Sequence, residues 1–115
     1  TVYTHNANNS ANYNPNAYAN KNSGCVLLST EIHDSLSSLG RFRSRGIKYG
    51  SAGGTEDLLV NRVSNMPSCL IEMGFISNSS DNIIFDTYLK QNAKAIAKGI
   101  MNYLGVPFDE SKYTL

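Results

Sequence analysis

In this 115-residue chain, few side chains combine useful chemistry with a position that could exploit it. Glu72 is the clearest. Cys69-Leu70-Ile71 is a short apolar run just after Pro67, which reads as a strand with a sharp start, and the run stops on the Glu72 carboxylate. Gly74 follows and permits a turn that a side chain would resist. In open α/β sheets, binding crevices lie beyond the carboxyl ends of strands. A glutamate placed there is a candidate general acid/base; the plain alternative is a strand-end glutamate facing water. His5 holds a comparable position. Thr1 to His5 has the β-branched and aromatic residues that suit a strand, with the histidine at its end. A polar strand terminus is the plain alternative there. Arg45, in a basic stretch with Arg41, Arg43 and Lys48, could face carboxylates or pair with an acidic side chain. His33 falls off the apolar stripe of its segment, so it reads as exposed and is not counted as a ligand.

These residues need elements to position them. Residues 6 to 22 hold eight asparagines with Pro15, Tyr13 and Tyr18, a composition for a long loop, with a short strand around Asn16 to Ala19. Leaving His5 directly, that loop is expected to rim a site. Leu28, Ile32, Leu36 and Leu39 recur at helical spacing, which predicts a helix over 23–39, capped by Ser23 and stopped by Gly40. Arg41 to Tyr49 reads as a solvated basic segment and Gly50 to Gly54 as a flexible connection. Leu58-Leu59-Val60 is a second short apolar run and reads as a strand. The run at 70–71 is expected to be buried in a central strand. Ser79 or Ser80 can cap a short helix holding Ile83, Ile84 and Phe85. Leu89, Ala93, Ile96, Ala97, Ile100 and Leu104 make one face of a last helix, opposite a solvated face of Lys90, Lys94 and Lys98. Gly105 and Pro107 stop it. Residues 106–115 read as a tail or the start of a linker.

The segment Asn65-Met66-Pro67-Ser68-Cys69-Leu70-Ile71-Glu72-Met73-Gly74-Phe75-Ile76-Ser77-Asn78 resembles the signature of the zinc-dependent N-acetylmuramoyl-L-alanine amidases of type 3. His5-Asn6-Ala7 and Arg45-Gly46-Ile47-Lys48 resemble two further segments of that family, although the family more often has one residue between the histidine and Asn-Ala. The resemblance runs over residues 1 to 104. It implies an α/β fold, a mixed sheet flanked by helices, with this chain as the second half of the domain. It implies that residues 1–105 are part of a catalytic domain. It also implies that His5 ligates Zn(2+), that Glu72 is catalytic, and that Arg45 faces the carboxylates of a stem peptide. The family holds its zinc with two histidines and a glutamate. Two of those ligands belong to segments preceding the strand at which this chain opens, so a missing N-terminal half is expected to complete the site. The activity implied is hydrolysis of the amide bond between N-acetylmuramic acid and L-alanine in peptidoglycan. A non-catalytic domain of the same fold, binding peptidoglycan or a protein, is the alternative.

Composition narrows the rest. Hydrophobic residues make up 41% of the chain and the formal net charge is +1, which fits a globular domain and argues against nucleic acid as the main partner. No segment has the apolar length to span a bilayer. Cys25 and Cys69 define no disulfide framework and read as small buried hydrophobes, and the chain has no Cys-x-x-Cys zinc site. The setting expected is the bacterial cell wall, reached from outside the cell or by a phage lysin.

Overall fold

The computed structural model describes residues 1–6, 21–52 and 56–113. Its described elements are β1 (Val2–Thr4), α1 (Lys21–Ser37), β2 (Ile47–Tyr49), α2 (Leu59–Val63), β3 (Leu70–Ile71), α3 (Ser79–Thr87), α4 (Leu89–Tyr103) and a 3-10 turn at Glu110–Lys112. A three-stranded mixed sheet and four helices make this an α/β chain, the class expected. The chain divides into two units: Thr1–Thr30 with Arg45–Glu72, and Glu31–Ser44 with Met73–Leu115.

The first unit is built on β1. Val2, Tyr3 and Thr4 are all buried, and β1 is the middle strand in the order β2-β1-β3. It pairs parallel with β2, Val2 opposite Ile47 and Thr4 opposite Tyr49. It pairs antiparallel with β3, Val2 opposite Ile71 and Tyr3 opposite Leu70. The run at 70–71 is therefore a strand, as expected, but an edge strand. Leu70 and Ile71 are half-buried, because β1 covers only one side of their backbone and nothing described pairs with the other. The basic stretch also ends in structure: residues 47–49 form β2.

The run at 58–60 is not a strand. Leu58 O accepts from both Asn61 N and Arg62 N at 3.0 Å, so the chain closes a helical turn there. The reason lies in Asn61, which is fully buried. Its amide donates to Tyr3 O at 3.1 Å and accepts from Ser68 Oγ at 3.0 Å. A buried amide with two good partners outweighs the apolar run, and Leu59, Val60 and Val63 are left exposed. Helix α1 begins at Lys21, so Ser23 lies inside its first turn and does not cap it. The buried residues of α1 include Cys25, Ser29, Ile32 and Leu36, a stripe at helical spacing that keeps Ile32 and Leu36 of the expected face and adds Cys25 and Ser29. Gly40, at φ +65°, ends that stretch with its N–H on Ser37 O at 3.0 Å.

In the second unit, Asn78 caps α3 rather than either serine, accepting from Ser80 N and Asp81 N. Helix α4 spans nearly the expected range, but its buried residues are Asn92, Ala95 and Gly99. A Cβ built on Gly99 would lie 2.6 Å from Ile32 Cα, so here two helix backbones approach as only glycine allows. Ser35 Oγ donates to Ala95 O across the same contact at 2.7 Å. The small-residue face wins this packing, and Leu89, Ile100 and Leu104 are exposed. The lysine face is partly covered too: Lys94 and Lys98 reach Glu110, at 2.7 and 3.5 Å.

Candidate functional site

His5 follows directly on β1 and is buried. Its position is set by the strand: Gly50 N donates to Thr4 O at 3.0 Å, extending the parallel ladder to the last residue before the histidine. Gly50 has φ +84°, and a Cβ there would lie 3.0 Å from Glu56 O and 3.5 Å from Asn6 Cβ. The turn after β2 thus packs tightly against the residues flanking the site.

The decisive partner is Asp57, just before α2. Its side chain is fully buried, and Oδ2 is hydrogen-bonded to His5 Nδ1. Asn6 N donates to the other carboxylate oxygen, Oδ1, at 2.7 Å. A carboxylate only accepts, so Nδ1 carries a proton and the neutral ring presents its lone pair at Nε2. Among the described residues no hydrogen-bond partner is found for Nε2. A ring whose Nδ1–H is held by a carboxylate is the usual condition of a histidine that ligates a metal through its other nitrogen. His5 therefore fits zinc as one ligand. Three are needed, and no group of three His, Cys, Asp or Glu among the described residues could hold a metal ion.

Glu72 and Arg45 lie elsewhere. Glu72 N donates to Thr1 O at 2.9 Å, and Thr1 N donates to Glu72 O at 3.1 Å. The register thus places Glu72 opposite Thr1, four residues along β1 from His5, or about 13 Å at the rise of a strand. Val2 N donates to Gly46 O at 3.2 Å, which puts Arg45 beside the same end of β1. The structure thus brings Glu72 and Arg45 towards one end of β1 and His5 with Asp57 to the other. The cause is strand direction. Beyond the carboxyl ends of two parallel strands, His5 and Glu72 would converge; β1 and β3 are antiparallel.

Asp57 is the residue that the sequence reading missed. Its signal was indirect: a buried strand-end histidine needs a partner at Nδ1, and 52 residues separate the two. The asparagine-rich loop expected to rim the site, with its short strand, falls mostly on residues 7–20, outside the described residues.

A model of the N-acetylmuramoyl-L-alanine amidase family matches residues 2–102. The chain belongs to that family. Two curated relatives come from Bacillus. A Bacillus subtilis protein, YqiI, is 38% identical over 78 residues, covering 66% of this chain and 35% of the relative. A Bacillus anthracis protein described as a cell wall amidase is 34% identical over 79 residues, covering 67% of this chain and 14% of the relative. The chain thus spans about a third of the first relative's length and about a seventh of the second's. No solved structure gives a significant match. Among the described residues, no helix is long and apolar enough to cross a membrane.

Proposed function

We propose that the chain is part of a zinc-dependent amidase that cleaves peptidoglycan between N-acetylmuramic acid and L-alanine, acting at the bacterial cell wall from outside the cell or as a phage lysin. The observation that carries this is the buried Asp57–His5 pair at the end of β1, in a chain of the amidase family. His5 would hold the zinc through Nε2, with Asp57 fixing the tautomer and the ring's orientation. The remaining ligands are proposed to come from an N-terminal half of the domain outside these 115 residues. Zinc, when bound in such sites, polarises a carbonyl and lowers the pKa of water to about 7. Glu72 is proposed as the group that accepts a proton from the attacking water and returns it to the departing amine. Arg45 is proposed to face a stem-peptide carboxylate.

The register favours a second reading, because Glu72 lies opposite Thr1 and apart from His5. In that reading the chain binds peptidoglycan or a protein without cleaving it, with Glu72 and Arg45 as surface charges. The test is release of new amino groups from purified peptidoglycan by a longer protein that joins this chain to the proposed N-terminal half, with zinc measured on the same sample. Amine release that needs zinc and is lost in His5→Ala supports the amidase. Wall binding without amine release overturns it.

A further inference from the structure

A second cluster of reactive side chains lies in the second unit. His33 sits on α1, and the turn at Gly40 brings the chain back so that Ser44 Oγ lies 2.7 Å from His33 Nε2. The other ring nitrogen, Nδ1, lies 3.0 Å from Asp34 Oδ1. The carboxylate only accepts, so the neutral ring keeps its proton on Nδ1 and Nε2 accepts from the Ser44 hydroxyl. Ser37 Oγ approaches the same nitrogen at 3.4 Å, a weaker contact. A hydroxyl on a base that a third group orients is the arrangement of an activated nucleophile.

We propose that Ser44 is an acyl-accepting nucleophile, with His33 as its base and Asp34 as a positioning residue, and that it acts on short-chain carboxylic esters. The substrate class follows from exposure. Ser44 is exposed and the Asp34 side chain is 69% exposed, so the site admits small acyl donors and water. Ser44 Oγ attacks the ester carbonyl while His33 Nε2 takes its proton. The new Oγ–acyl bond forms, the ester C–O bond breaks, and His33 passes the proton to the departing alcohol. Water then attacks acyl-Ser44, His33 again moving the proton, which releases the carboxylic acid and restores the hydroxyl. No oxidant, metal or cofactor is required. The proposal stands apart from the amidase reading, because it uses neither His5 nor Glu72.

The test uses the 115-residue chain with p-nitrophenyl acetate as the probe. Hydrolysis should continue in the presence of a chelator, and peptide mass mapping should find the transient acetyl group on Ser44. Ser44→Ala and His33→Ala should each lower the rate by about 100-fold. Asp34→Asn should slow turnover and Asp34→Glu should restore part of it, which a merely structural role would not predict. Ser44→Cys covers the case in which the alanine variant misfolds: it should still be acetylated at position 44. Acetyl groups found only on lysines, or a Ser44→Ala variant that folds and hydrolyses like the parent, would overturn the assignment.

Discussion

Asp57 determines what His5 can do. With the carboxylate in place, Nδ1–H is fixed, and a metal would be met by Nε2. Asp57→Ala removes the acceptor from a buried imidazole and from Asn6 N. Each hydrogen bond to a charged group contributes about 1.5–3 kcal/mol, so with two lost a urea melt should show a loss of at least that size. In the longer protein, the same substitution should weaken zinc binding by about 10–100-fold, the usual effect of losing the group behind a ligand histidine. Unchanged zinc affinity would remove Asp57 from the site. Glu72 should behave oppositely. It is exposed, so Glu72→Gln should change stability by less than about 0.5 kcal/mol. If it is the proton acceptor, turnover on peptidoglycan should fall by about 10²–10⁴-fold with zinc retained. Wild-type turnover in that variant would leave Glu72 as an exposed surface charge. Strand-end polar residues can be read from the sequence because an apolar run stops there. Their partners cannot, since neither the pairing direction of β3 nor the approach of Asp57 leaves any mark in the local pattern.

At the scale of elements, what the sequence shows is where apolar runs and stop residues fall; what it hides is which face is covered. Helix α4 illustrates this. Its leucine and isoleucine face is the obvious one, yet Gly99 and Ala95 are what let it close against Ile32 and Ser35. Gly99→Ala separates the two effects. Alanine gains roughly 1 kcal/mol of helix propensity over glycine. Against this, a methyl forced into backbone costs about 1–3 kcal/mol. Since the atoms it meets are Ile32 Cα and neighbouring backbone, which cannot swing away, the cost should win and the melting temperature should fall. A rise in melting temperature would mean that the helices are not in close contact at this point. The final turn gives a pH test. The hydrogen bond from Lys94 lowers the pKa of Glu110 below its usual value, with Lys98 adding to the effect. A carboxylate depressed in the folded state stabilises it above the unfolded pKa, near 4.5, and loses that contribution as pH falls through the folded value. Acidification through the carboxylate range should therefore loosen the turn from α4, visible as a change in the NMR shifts of the stacked Phe108 and Tyr113 rings. Rings that keep their shifts through that range would show that the turn is held by other contacts.

For the molecule as a whole, the question is how much of a zinc site one chain of this length can supply. Residues 7–20, 53–55 and 114–115 contain no His, Cys, Asp or Glu, so every such side chain in the sequence lies among the described residues. Of these, His5 alone has the buried, carboxylate-backed geometry of a ligand, and no group of three is found. In the sheet, β2 and β3, of three and two residues, are both edges and each leaves one side of its backbone without a described strand. One nitrogen is too few to hold catalytic zinc, which takes about three protein ligands and an open position. The isolated 115-residue chain should therefore lose added zinc on gel filtration, whereas the longer protein should retain about one ion per molecule by elemental analysis. His5→Ala should abolish that retention in the longer protein. Stoichiometric zinc on the isolated chain would require Asp57, Glu56 or Glu72 to rearrange around His5. That result would sink the division of the site between two halves of the domain.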